Sequence, residues 1–179
     1  MEYTSAGCIF TNGTHIVAGY QPNKPNPCIS GLGGKKEEGE TVLQTAIRET
    51  IEELFGFYDF PEIVSKVCLL EPMKVFHNGK YGMVVYRFED LEKILSLVKE
   101  SGRISPLYRE MPVNLTELLF LRELGKAEIS HLCILPLVKH EKKYPFIEPY
   151  FLKDLQMLVE LLQDKAHWKG IQEEEEPPQ

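Results

Sequence analysis

The chain predicts an α/β fold: a mixed sheet flanked by helices. Three observations point there. Short apolar segments bounded by turn residues alternate with segments of helical periodicity. The alternation lacks the even βαβ spacing of a doubly wound sheet. And 179 residues, 43% of them hydrophobic, suffice for one sizeable core but are short for two independently stable domains. A single domain over residues 1–170 is therefore expected, with an acidic, disordered tail over 171–179, where charge and proline leave nothing to bury.

Taken in order, Ala6 to Ala18 carries Asn12-Gly13 at its centre and predicts a hairpin. Gln21 to Pro27 contains three prolines, which remove backbone donors and hold an extended loop. The glycine-rich stretch Gly31-Leu32-Gly33-Gly34 follows and is expected to continue as loop. A helix then begins after Thr41, whose hydroxyl caps the first turn with Gln44 completing a capping box, and it stops at Gly56. Val64 to Val75 predicts a strand, His77-Asn78-Gly79 a turn, and Tyr81 to Phe88 a second strand. Asp90 to Glu100 has Leu91, Ile94, Leu95 and Val98 at helical spacing. Beyond Pro106, Val113 to Leu121 is expected to be a strand end running into a short helix, and His131 to Val138 a buried strand. Phe151 to Trp168 is amphipathic through Leu152, Leu155, Leu158, Leu161 and Leu162, and predicts a C-terminal helix packed within a monomer or across a homodimer.

Composition narrows the function classes. No run of eighteen apolar residues is present, and Met1 to Cys8 lacks the basic start and apolar stretch of a secretory signal, so a soluble cytoplasmic protein is expected. Cys8, Cys28, Cys68 and Cys133 are too far apart for a paired zinc motif and predict reduced thiols. A net charge of -7 disfavours a broad grip on nucleic acid, since that grip comes from neutralising many phosphates. It leaves room for a small phosphorylated ligand held through cations at an acidic site.

Such a site is visible in the helix after Thr41. At about 100° per residue, Glu49, Glu52 and Glu53 share one face, while Leu43, Ile47, Thr50, Ile51 and Leu54 fall on the other. Three adjacent carboxylates repel by a few tenths of a kcal/mol per pair, roughly. The offset comes either from solvent with Arg48, Lys35 and Lys36 nearby, or from a bound cation. Gly33 and Gly34 permit a backbone bend whose carbonyl turns toward such an ion, and Mg²⁺ suits several carboxylates, a carbonyl and substrate phosphate.

Gly34, five residues, Glu40, seven residues, Arg48-Glu49 and then Glu52-Glu53 resemble the Nudix box in spacing and identity. The pattern departs at Thr50, where an aliphatic residue is usual, and at Phe55, which intervenes before Gly56. The resemblance implies a Nudix-like α/β/α sandwich and a hydrolase that cleaves a diphosphate linkage in a nucleoside triphosphate or a nucleoside diphosphate-X substrate. It implies that Glu49, Glu52 and Glu53 bind Mg²⁺ (or Mn²⁺) with a carbonyl of Gly33 or Gly34, that Gly34 and Lys35 meet substrate, that Arg48 orients carboxylates, and that Glu40 is structural. Glu52 or Glu53 would be the general base, or a later loop acid, for which Glu110 is favoured over Glu100, Glu117 and Glu123.

The run Ser30 to Lys35 is also similar to the branch that hydrolyses oxidised purine nucleoside triphosphates, although Ile29 and Ser30 stand where that branch has an aromatic residue and an asparagine. Two alternatives accompany this reading. One is mRNA decapping or dinucleoside polyphosphate cleavage, for which capped RNA would need a basic patch such as Lys139, Lys142 and Lys143. The other is a nucleotide-binding module that keeps the fold without the chemistry.

Overall fold

The computed structural model describes residues 2–124, 127–137 and 146–163. The expected tail, Trp168 and the Lys139, Lys142 and Lys143 patch lie outside the described residues.

The Asn12-Gly13 hairpin forms as expected, joining β1 (Ser5–Thr11) to β2 (His15–Gln21), with Asn12 Oδ1 accepting from the amides of Thr14 and His15. Thr11 pairs with Ile16, but toward its N-terminus β1 leaves β2 and pairs instead with β4 (Leu32–Lys35). Strand β3 (Cys28–Ser30) takes up the far end of β2. This divergence of β1 from β2 opens the sheet at one end.

The remaining strands, β5 (Lys74–Asn78), β6 (Tyr81–Arg87) and β7 (His131–Pro136), complete a mixed sheet of order β3-β2-β1-β6-β5, with β4 on β1 and β7 on β2. Strands β5 and β6 form the second hairpin, and β6 runs parallel to β1. Period-two alternation sets the two faces. Ala6, Cys8, Phe10, Val84 and Tyr86 face a core built with α1 (Val42–Phe55), α2 (Pro61–Val67), α3 (Phe88–Glu100) and α4 (Leu115–Phe120). Ile9, Met83 and Val85 face a second core closed by Phe151, Leu155 and Leu158 of α5 (Pro149–Gln163). The result is an α/β/α sandwich.

Four expectations are corrected. The glycine-rich stretch is strand, not loop: Gly33 and Gly34 pair with Gly7 and Ala6. Their missing side chains serve packing, since a Cβ on Gly33 would meet the Tyr81 hydroxyl at 2.1 Å and the Ala6 carbonyl oxygen at 2.6 Å. The strand expected over Val64 to Val75 is instead helix α2 followed by the shorter β5; Pro61 sits in its first turn, and Ile63 and Val67 bury an i, i+4 pair. No strand precedes α4, which starts at an Asn114 cap accepting from the Glu117 amide. Finally, β7 (His131–Pro136) is only half-buried, because it pairs with β2 alone. Among the described residues, no helix is long and apolar enough to cross a membrane.

Candidate active site

Helix α1 carries the site. Thr41 and Gln44 form the expected capping box, and Gly56, at φ 69°, adopts the left-handed turn that ends the helix. Thr45, Ala46, Ile47, Thr50, Ile51, Leu54 and Phe55 are buried against the sheet, which turns Glu49, Glu52 and Glu53 outward.

Arg48 organises these acids. Its Nε and Nη2 donate to both oxygens of Glu40, Nη1 donates to Glu49 Oε1 (2.8 Å) and Glu52 Oε1 (3.2 Å), and Nη2 also reaches the Lys35 carbonyl (2.8 Å). Glu40 further accepts from Thr45 Oγ1 (2.6 Å) and the Glu37 amide (3.0 Å). Burial alone would push the Glu40 carboxyl up, but Arg48 and Thr45 outweigh it and hold the group at about 2. The same contacts raise the Arg48 guanidinium above its usual range.

Glu53 is fastened separately, its Oε2 accepting from the Gly33 amide at 3.0 Å. Loss of water around it, joined by the Glu128 and Glu49 carboxylates, pushes its pKa well above the ordinary value in spite of that bond. Glu52 is also raised, first by burial, with Arg48 opposing.

Glu49 and Glu53 line a cavity of ≈ 790 Å³ at the end of the sheet where β1 and β2 diverge. That size falls within the range of small-molecule sites. Gly33, Gly34 and Lys35 line it as well, together with Lys24, Lys80, Lys153 and Glu128. Buried polar groups in its lining include Asp154, which accepts from Asn78 Nδ2 at 2.8 Å, and Gln21, whose Oε1 has no hydrogen-bond partner among the described residues. A second cavity of ≈ 360 Å³ lies across the same acids, bordered by Glu52, Phe57, Tyr58, Leu107 and Ile129. The acids thus stand between two recesses.

The donor set suits a hard divalent cation. Glu49, Glu52 and Glu53 each give one oxygen to Arg48 or Gly33 and, among the described residues, keep the other without a hydrogen bond. Gly34 leaves the needed space, for a Cβ there would stand 2.2 Å from Glu49 Oε2. Among the described residues no three His, Cys, Asp or Glu side chains converge as a finished metal-binding group. An ion bound here would complete its shell with water or phosphate, the usual habit of Mg²⁺.

Glu110 is not brought to these acids. It lines a separate cleft with Lys99, Arg103, Met111 and Glu117, because the segment after Pro112 turns into α4 rather than returning as a strand. Glu117 and Glu123 are occupied by the Val113 amide and Arg109, and Glu100 is exposed at the end of α3. Two loop acids line the same cavity, Glu128 just before β7 and Glu148 just before α5, and of these Glu128 acts on the Glu53 carboxylate; its nearness depends on sheet pairing and leaves no local pattern in the sequence.

The NUDIX domain model matches residues 1–133. The chain belongs to the NUDIX domain family. Thr50 is buried against the sheet, and Phe55 fills the core beside Phe57 and Tyr108, with Gly56 capping the helix. No curated protein matches this NUDIX chain. Similar solved structures include a bifunctional NMN adenylyltransferase/ADP ribose pyrophosphatase from Francisella tularensis, with 15% identity, TM-score 0.49, 90% of this chain and 42% of that one. Others are the M. smegmatis Nudix hydrolase RenU (12%, TM-score 0.46, 96% and 90%) and the E. coli ORF135 protein (14%, TM-score 0.45, 96% and 96%). This NUDIX chain spans less than half the length of the bifunctional protein, and at these values no activity carries over from any of the three.

Proposed function

We propose that this NUDIX domain is a pyrophosphohydrolase acting on a nucleoside triphosphate or nucleoside diphosphate-X substrate. One observation carries the reading: Glu49 and Glu53, each with a free oxygen, face a cavity that also presents four lysines. Carboxylates and ammonium groups would merely neutralise each other in an empty site; together they suit a cation-bridged diphosphate.

Lys24, Lys35, Lys80 and Lys153 meet the charge of the phosphates, and Gly34 lets the chain approach closely. Arg48 keeps Glu49 and Glu52 aimed, while Glu40 anchors Arg48. Mg²⁺ or Mn²⁺, held when bound by Glu49, Glu52 and Glu53, would neutralise the diphosphate and acidify water. Glu53, which lines the cavity, accepts the proton of the attacking water, with Glu52 as the alternative base. Glu128 takes the loop position, since Glu110 borders another cleft. Water adds to one phosphorus as the bridging oxygen leaves with the other phosphate.

Gln21, Asn78 and Asp154 offer hydrogen bonds to the non-reacting part of the substrate. Ser30 lines the same cavity, so the similarity to the oxidised-purine branch makes purine triphosphates the first substrates to try. The test is hydrolysis of a nucleotide panel with and without Mg²⁺, by the wild type and Glu53→Gln. Metal-dependent release of a monophosphate, lost by about 10² to 10⁴-fold in the variant, is expected. A wild type without metal-dependent turnover on any diphosphate would leave a binding module instead.

A further inference from the structure

Arg122 is 4% exposed, yet its guanidinium has no carboxylate partner among the described residues. Its Nη1 donates to the Leu54 carbonyl (2.6 Å) and the Tyr108 hydroxyl (3.3 Å). Nη2 donates to the carbonyls of Glu53 (2.8 Å) and Ile129 (2.9 Å), and Nε to Ile129 again (3.2 Å). The guanidinium also lies 5.7 Å from the centre of the Tyr108 ring. Burying a cation against neutral acceptors is costly unless those acceptors are numerous and well placed.

The carbonyl acceptors lie on two segments that are far apart in sequence. Glu53 and Leu54 belong to the last turn of α1, where carbonyls carry partial negative charge and where the helix has no basic residue of its own. Ile129 directly follows Glu128, which is exposed and makes no hydrogen bond or ion pair among the described residues. A planar fork of five N–H groups can hold both segments at once, which an ammonium group cannot do with the same geometry. Nearby, Ser105 Oγ donates to the Phe55 carbonyl and the Glu123 amide donates to the Leu107 carbonyl, so the segment 105–107 links the helix end to the residue that follows Arg122.

Resting on the hydrolase reading above, we propose that Arg122 is a positioning residue, clamping the Glu128 loop to the end of α1 so that Glu128 stands beside Glu53. Its work is done through backbone carbonyls, and its guanidinium touches neither substrate nor cation.

A double-mutant cycle tests this with Arg122→Lys, Glu128→Gln and the pair, each read by steady-state kinetics on the most active nucleotide of the panel and by Mn²⁺ titration followed by electron paramagnetic resonance. Urea melts establish that each variant is folded. Arg122→Lys should lower kcat and weaken Mn²⁺ binding by about tenfold, the usual scale for an outer-shell partner, with KM little changed. In the Glu128→Gln background the same substitution should add less than about twofold, because its effect runs through Glu128. Equal losses in both backgrounds, or a lowered melt with unchanged kcat and Mn²⁺ affinity, would show a purely structural clamp and overturn the proposal. Should Arg122→Lys not fold, Tyr108→Phe, which removes one contact to the same guanidinium, takes its place with the same pattern at smaller size. If the wild type hydrolyses nothing, the hydrolase reading falls, and the Mn²⁺ arm of the cycle still decides for or against Arg122.

Discussion

The Gly33 amide donates to Glu53 Oε2 at 3.0 Å and so fastens the last turn of α1 to strand β4. The bond fixes one oxygen of the carboxylate, and the other accepts no hydrogen bond among the described residues. It also depends on close approach of two backbones, which only glycine allows here.

Gly33→Ala should therefore disrupt the site through packing. The new Cβ would meet the Tyr81 hydroxyl at 2.1 Å, the Ala6 carbonyl oxygen at 2.6 Å and the Gly7 Cα at 2.7 Å. Two of those atoms are backbone and cannot swing aside, so a loss of about 1–3 kcal/mol is expected in urea unfolding. Adding Tyr81→Phe should recover only part of it. Full recovery would show that the hydroxyl, and not the strand spacing, sets the limit.

Arg48 and Glu40 make a pH-dependent contribution. The folded Glu40 carboxyl sits at about 2 against an ordinary 4.5, so the pair stabilises the fold fully above about pH 4.5 and loses that contribution as pH falls toward 2. Its side chain is 15% exposed, and after allowance for solvent screening Glu40→Gln should cost about 1 kcal/mol at pH 7. The difference in melting temperature between wild type and variant should shrink steadily from pH 5 to pH 3. A constant difference over that range would contradict the assignment.

Glu53 has the opposite sign. Its pKa is raised by burial first and then by Glu128 and Glu49, so the folded protein holds this proton over a window where the unfolded chain has released it. Without metal, this group weakens the fold as pH rises above the ordinary carboxylate value, up to the folded pKa. Glu128→Gln removes a like charge and should move the Glu53 titration, followed by carbon NMR of the metal-free protein, to lower pH. No movement would place Glu128 out of electrostatic reach.

Gln21 offers a stability test of ligand contact. Its Oε1 is buried without a partner among the described residues, a cost the free protein bears. Gln21→Met, close in volume, should raise stability by about 1 kcal/mol while lowering kcat/KM on the nucleotide substrate. A lower melting temperature would mean that the amide is satisfied in the free protein.

Much of the molecule was legible from local pattern. The Asn12-Gly13 hairpin, the capping box at Thr41 and Gln44, the stop at Gly56, and the shared face of Glu49, Glu52 and Glu53 all follow from spacings of a few residues, where helix and turn geometry leave little freedom. Helix α2 was missed because its short apolar run has no period long enough to tell helix from strand, and the glycines of β4 because their cause lies on other strands, at Tyr81 and Ala6. Tertiary structure alone decided which later acid approaches the carboxylates. Glu110 and Glu128 are both loop residues, and it is the pairing of β7 with β2 and the grip of Arg122 on Ile129 that bring one of them to Glu53. The β2–β7 pairs and the bonds from Arg122 to the Glu53 and Leu54 carbonyls join residues more than sixty positions apart, so no stretch of sequence short enough to read by periodicity contains both partners.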